Sequence, residues 1–332
     1  MSASDATIAK GSSETPEPVT LESRPDDRGG PSVFPGKGLT FVVGPPRSGT
    51  TLLYKLLCLH PDAAWISNWV AKFPRIPQLA MLNRVVRQMP TRQRRLWFAE
   101  GGNAYVYGNA RGLLQRMFPT PVEGEPIYRA AGVPRAAGSA AGPADGLIRA
   151  FEGIRRHGGG TVLISKRIGN NQRIGLLADT FPAARFVSLV RDGRAVACSL
   201  SRVDWWQDTV VPWYGATPRD WEAEGRDPWE LCARTWVEEL LELRNGLRRV
   251  PSEQVLEVRY ETLVEDPLAV VPGIARFAGL SPDPRWTASL QRLSYPNRNE
   301  TWRRELEPVV ADRITALQRP MLEELGYMDG SA

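Results

Sequence analysis

The sequence predicts an α/β protein with a central parallel sheet flanked by helices on both faces. Three observations carry that expectation. A strand-like run, a glycine turn and a helical pattern follow one another within Leu39–Leu57. Strand-like runs then alternate with helical patterns through the rest of the chain. No internal repeat offers a competing architecture. With 332 residues the chain can bury a large core, and its net charge of +5 suits acidic ligands. No recognised nucleic-acid reading module is present, so nucleic acid is not an expected partner.

Cys58, Cys198 and Cys232 are few, odd in number and far apart, each within an apolar helical pattern. They read as buried thiols rather than a disulfide framework. With only His60 and His157 and no clustered cysteines, a zinc site is not expected. No apolar run is long enough to span a bilayer, and Met1–Lys10 lacks the basic-then-apolar order of a secretion signal. A cytoplasmic protein is the expectation. Nothing in the sequence sets an oligomeric state.

Residues 1–36 are rich in Ser, Glu, Asp and Pro with almost no apolar periodicity, and read as a disordered leader. A single domain is expected over 37–332, carrying an insertion at about 101–158. Thr40 to Val43 form the first buried strand, and Gly44-Pro45-Pro46 ends it. From Thr50 a helix begins, with Leu52, Leu53, Leu56 and Leu57 on neighbouring turns. Strand, glycine loop and helix N-terminus together make a P-loop-like cradle. Backbone N–H groups converge there, the helix dipole favours an anion, and Ser48, Thr50 and Thr51 place hydroxyls around Arg47. Gly44 and Gly49 stand as the two glycines of a Walker A loop, but Thr50 occupies the position of its lysine. The positive charge sits instead at Arg47.

Leu59-His60-Pro61 ends that helix, and His60 reads as a helix-end residue bonded to backbone. Ala64–Ser67 is a candidate second strand. Val70 to Arg95 carries apolar residues at helical spacing together with Lys72, Arg75, Arg84, Arg87, Arg92, Arg94 and Arg95 and no acid. Such a surface suits an anionic co-substrate or an acidic acceptor, or is simply a solvated face. The Ala/Gly/Pro run from Ala130 to Ala144 reads as a loop of the kind that shapes an acceptor pocket.

Order resumes with the strand Thr161–Ser165, a helix from Ile174 to Phe181, the strand Arg185–Val190 and the helical run Ala195–Leu200. Asp227-Pro228-Trp229-Glu230 reads as a capped start of an amphipathic helix reaching about Arg249. Val255–Val258 is another strand. Helices near Leu268–Ala278 and Pro308–Leu325 close the chain, the last interrupted at Pro320. Arg191 stands at the carboxyl end of a predicted parallel strand, where open α/β sheets bind ligands, and Ser199 lies two helical turns further on. On spacing alone Arg191 and Arg194 suit equally well an anion site or an ordinary salt bridge with Asp192 or another acid.

Three segments together resemble the sulfotransferase family, whose members use 3′-phosphoadenosine 5′-phosphosulfate (PAPS). They are Pro46-Arg47-Ser48-Gly49-Thr50-Thr51, the run 181–199 (FPAARFVSLVRDGRAVACS), and the run 259–267 (RYETLVEDP). The PRSGTT loop is most similar to the bacterial-type or tyrosylprotein-like branch, and the resemblance spans about 39–327 apart from the insertion. It implies that Arg47, Ser48, Gly49, Thr50 and Thr51 hold the 5′-phosphosulfate, with Arg47 catalytic at the leaving group. It implies that Arg191 and Ser199 hold the 3′-phosphate and that Tyr260 contacts the adenine. Trp302 would end a loop, Asn297 to Thr301, that covers the nucleotide, with Arg298 adding charge. The resemblance requires no metal.

The sequence departs from the family at the base. Ile66, Ser67 and Asn68 stand where the tyrosylprotein branch has its Gly-Glu-Glu, and Lys166 is followed by Arg167 and Ile168 where the cytosolic branch has its histidine. Glu100, Glu123, Glu125 and Asp204 remain candidates without a choice among them. The acceptor implied is a hydroxyl of a small molecule, a glycan or a secondary metabolite. The alternatives are a P-loop nucleotide kinase or triphosphatase, against which Thr50 weighs, and a catalytically inactive nucleotide-binding relative.

Overall fold

In the computed structural model the described residues are 34–98, 117–134 and 144–328. The expected leader lies almost wholly outside them, as do Glu100 and much of the insertion. Among the described residues five strands form one parallel sheet: β1 (Leu39–Val43), β2 (Ala63–Trp65), β3 (Val162–Lys166), β4 (Arg185–Val190) and β5 (Val255–Arg259). Their order is β2-β3-β1-β4-β5. Register sets Val42 against Lys166, Val43 against Ser188 and Val190 against Arg259, so the carboxyl ends of the strands collect along one edge. The expected fold class is the one observed.

Alternate strand residues feed two cores. Leu39, Phe41, Val43, Leu163 and Phe186 face one side, where they pack against Phe151 and Ile154 of the helix Asp145–Gly158 and Trp236 and Leu240 of the helix Pro228–Leu247. Val42, Ile164, Val187 and Leu189 face the other, packed against Leu53 and Leu57 of α1 (Thr50–Cys58) and Ile274 of the helix Pro267–Phe277. Strands apolar on both faces are what a sheet covered by helices on both sides demands.

Three local expectations are corrected. The basic stretch 70–95 is not one helix. It folds as α2 (Asn68–Lys72), a 3-10 turn Pro77–Ala80, α3 (Met81–Arg87) and α4 (Pro90–Trp97), because Pro77 and Pro90 fit the first positions of such elements and are disfavoured in their interiors. The candidate strand Ala64–Ser67 ends at Trp65, since Ser67 caps α2 by accepting from the Val70 N–H at 3.4 Å. The last helix runs unbroken over Pro308–Glu324 with Pro320 inside it; burial of Ile314, Met321 and Leu322 along one face outweighs the missing backbone donor. The helix Asp145–Gly158 was not anticipated, although Leu147, Phe151 and Ile154 carry its buried stripe. Cys58, Cys198 and Cys232 are buried and unpaired with one another.

Candidate active site

The loop between β1 and α1 holds a conformation that only particular residues tolerate. Gly44 has φ 146°, and a Cβ there would lie 2.4 Å from the Leu189 carbonyl oxygen. Gly49 has φ 89°, and a Cβ there would lie 2.5 Å from Cδ2 of Tyr260. Arg47 is, among the described residues, the only non-glycine residue with positive φ, at 68°. A side chain kept in that region is held by its surroundings at a conformational cost, and such residues concentrate at functional sites. No side chain caps the start of α1, and its first turn contains no acid, so its leading N–H groups keep their capacity for an anion. Ser48 is fully buried, and its hydroxyl has no hydrogen-bond partner among the described residues.

A second cation meets this loop from β4. Arg191 donates from Nη1 to the Arg47 carbonyl at 2.9 Å, from Nη2 to the Arg298 carbonyl at 2.8 Å and from Nε to Oδ1 of Asn299 at 3.2 Å. Trp236 Nε1 donates to its carbonyl at 3.1 Å. The guanidinium stacks 4.2 Å above the Tyr260 ring, which is itself only 3% exposed. All the acceptors around Arg191 are neutral, and it joins no salt bridge among the described residues. Arg194 took the other course: it makes a two-pronged pair with Asp192, at 3.0 and 2.8 Å, and stacks on Trp302. Arg194 is thus paired directly with a carboxylate, whereas buried Arg191 donates only to neutral acceptors, with the Glu261 carboxylate near enough to feel its charge. Ser199 joins the two stations, its Oγ accepting from Nε of Arg47 at 2.9 Å. Arg47, Ser48, Gly49, Thr50, Thr51, Arg191, Ser199 and Tyr260 thus meet along one sheet edge. Orphan donors, a guanidinium hydrogen-bonded only to neutral acceptors and a helix start fit a polyanionic ligand.

The loop is fastened by residues the sequence did not single out. Oδ1 of Asn171 accepts from the Gly44 N–H at 3.2 Å while its Nδ2 donates to the Gly44 carbonyl at 3.1 Å and to Oε2 of Glu239 at 2.7 Å. Gln172 donates to the other Glu239 oxygen at 3.0 Å. Burial raises the Glu239 carboxyl to about 7, against the lowering effect of these two amides. No spacing signal in the sequence marks Asn171 or Glu239.

The candidate bases separate clearly. A bridge between Ser67 and Pro121 and a bond from the Val122 N–H to the Ile66 carbonyl at 2.9 Å bring Glu123 and Glu125 toward the ends of β2 and β3. Glu123 pairs with Lys166 and Arg167. Burial raises its carboxyl, but the two cations prevail and hold it below the ordinary range. Glu125 is gripped by Arg173 at 2.9 and 3.0 Å and by Arg167 at 2.9 Å. Asp204 is exposed. His60 bonds backbone, through the Ser281 carbonyl at 2.7 Å and the Asp62 N–H at 3.1 Å. Trp206 and Trp221 are core residues, while Trp205 is exposed. No group of His, Cys, Asp and Glu among the described residues could hold a metal ion, and no described helix is long and apolar enough to cross a membrane.

Compared by sequence with curated proteins, the chain matches none. Its fold is similar to that of the sulfotransferase STF9 from Mycobacterium avium, at 14% identity over 87% of this chain and 76% of that one, with a TM-score of 0.53. The sulfotransferase STF1 from Mycobacterium tuberculosis H37Rv aligns at 19% identity over 85% and 76%, with a TM-score of 0.49. A sulfotransferase from Alicyclobacillus acidocaldarius aligns at 17% over 87% and 94%, with a TM-score of 0.43. At 14% identity the likeness to the Mycobacterium avium enzyme is one of fold. The sequence model of the sulfotransferase family matches residues 40–284. That match covers well over half of the chain, and the chain belongs to the sulfotransferase family.

Proposed function

We propose that this sulfotransferase takes PAPS as donor and passes the sulfuryl group to a hydroxyl of a small-molecule, glycan or secondary-metabolite acceptor, in the cytoplasm and from a single domain over 37–332. The observation that carries the reading is Arg191, a buried guanidinium with only neutral acceptors, bonded to the carbonyl of the strained Arg47. Two cationic stations at adjoining strand ends suit a nucleotide with phosphates at two ends.

In this reading Ser48, Gly49, Thr50 and Thr51 hold the 5′-phosphosulfate through hydroxyls and leading amides, and Arg191 and Ser199 hold the 3′-phosphate. Tyr260 contacts the adenine in this reading, and its buried ring also packs against Gly49 and beneath Arg191. The donor supplies the sulfuryl group and a bisphosphate leaving group. Arg47 stabilises the charge that gathers on the oxygen between phosphorus and sulfur, and the loop holds that group in line with the entering hydroxyl. The reading requires no metal, because Arg47 and the start of α1 supply the positive charge. With Glu123 and Glu125 both engaged by cations, an acidic hydroxyl such as a phenol is the acceptor that needs least help from a base.

The test is transfer of label from radiolabelled donor to a panel of phenolic, glycan and alcohol acceptors. Arg47→Ala is expected to lower transfer by about 100- to 1,000-fold, the usual effect of removing one preorganised donor. Transfer undiminished by that change overturns the role of Arg47.

A further inference from the structure

We propose that α2, the following 3-10 turn and α3 form a docking face for an anionic lipid bilayer, binding the protein peripherally to a membrane surface. This inference stands independently of the donor and acceptor assigned above. The basic stretch carries bulky apolar side chains on its solvent side. Phe73 is 41% exposed, Ile76 47%, Met81 55% and Val85 54%. On α3 the outward residues are Met81, Arg84 and Val85, with Gln88 exposed just beyond its end, while Asn83 and Val86 point inward. The helix therefore presents a mixed apolar and basic face to solvent, the reverse of what the core requires of it. Met117, also exposed, is tied to the same face by the bond from Trp69 Nε1 to its carbonyl at 2.8 Å.

Along this stretch of chain the charge is all of one sign. Between Asp62 and Glu100 the sequence holds cations and no acid. None of those cations forms a salt bridge among the described residues. Arg84 is bonded to the carbonyls of His157 and Arg156 at 2.8 and 3.0 Å, acceptors that leave its charge unneutralised. Lys72 extends its ammonium over the rings of Trp69 and Phe73, at 5.8 and 5.7 Å. An aromatic pair beneath a lysine, with Ile and Met alongside, is the chemistry of a bilayer interface: apolar groups enter the acyl boundary while ammonium and guanidinium groups stay among phosphates. An acidic protein would satisfy Lys72, Arg75, Arg92 and Arg95 equally well. It gives no reason for four exposed large apolar side chains on the same stretch, and a bilayer does.

Vesicle flotation tests the proposal. The full chain is mixed with vesicles of phosphatidylcholine alone, or with about one part in three of phosphatidylserine, at low and high salt. Flotation with the anionic vesicles, weakened by salt, is expected, because each cation at such a surface adds about fivefold to binding. Lys72→Glu with Arg75→Glu should lower the bound fraction at least tenfold. Phe73→Ser with Ile76→Ser should weaken binding and leave its salt dependence unchanged. All four sites are exposed, so both variants should melt with the wild type; Lys72→Gln with Arg75→Gln repeats the charge test should the glutamate pair lower the melting temperature. Equal binding to neutral vesicles, no binding to either, or binding undiminished by the substitutions overturns the proposal. So does retention by polyglutamate without vesicle binding, which would point to an acidic protein, or self-association that these substitutions abolish.

Discussion

Replacing Glu239 by glutamine removes a buried ionisable group from the network that fastens the loop between β1 and α1, and the consequence can be worked out. Burial raises this carboxyl from 4.5 to about 7. A group whose folded value is raised contributes fully to stability below its unfolded value and loses that contribution as pH rises through the folded one. Ionised Glu239 therefore costs the fold about 3 kcal/mol at alkaline pH, at about 1.4 kcal/mol per tenfold change. About 2 kcal/mol of that loss falls between roughly pH 5.5 and pH 8. Glutamine cannot ionise, and one of its polar atoms still accepts from Asn171 or Gln172. Urea denaturation at the two pH values is the assay. The wild type should lose about 2 kcal/mol more than the Glu239→Gln variant on going from the acid to the alkaline buffer. Equal pH dependence in the two proteins would refute the reasoning, because the carboxyl would then not be titrating in that window.

Gly49→Ala forces a Cβ to within 2.5 Å of the Tyr260 ring at φ 89° and should lower the urea midpoint by an amount equivalent to about 2 kcal/mol; an unchanged midpoint would contradict the observed loop. Glu123→Gln removes a charge shared by buried Lys166 and by Arg167, and should cost about 3 kcal/mol. Adding Lys166→Met should recover a good part of that loss, and a double-mutant cycle by calorimetric melting would show whether the two effects are coupled. Ser199→Ala leaves Arg47 without its hydroxyl partner and should change melting by no more than about 1 kcal/mol. It should still weaken bisphosphate binding in calorimetry.

Much of the site was legible because its signals are local. Two glycines five residues apart, with an arginine and three hydroxyls between strand and helix, define a cradle within one stretch, and the parallel-strand rule places Arg191 at the same edge. The resemblance singles out Arg191, but spacing alone leaves both Arg191 and Arg194 open to a salt bridge. Which of them pairs with Asp192 is decided by the start of the helix Gly193–Leu200, where Asp192 caps the chain and its carboxylate turns toward Arg194. Asn171 and Glu239 were illegible for a different reason. Asn171 meets Gly44 across 127 residues of chain, and no periodicity encodes a single side chain meeting a distant backbone. The break-up of the basic stretch was written in Pro77 and Pro90, yet helical spacing of its apolar residues masked it. The helix Asp145–Gly158 was hidden by the Ala/Gly/Pro run before it, although its i, i+4, i+7 stripe is plain once Leu147 is taken as the start.

The central claim is that the chain holds a nucleotide at two cationic stations, with Arg191 reserved for the phosphate remote from the sulfuryl group. Isothermal calorimetry with 3′,5′-adenosine bisphosphate and with adenosine 5′-monophosphate, on the wild type and on Arg191→Ala, tests it most directly. The bisphosphate should bind the wild type at least about tenfold more tightly, as a charge-assisted contact to phosphate implies, and Arg191→Ala should erase that preference. Equal affinity for the two nucleotides, or a preference that survives the substitution, would contradict it.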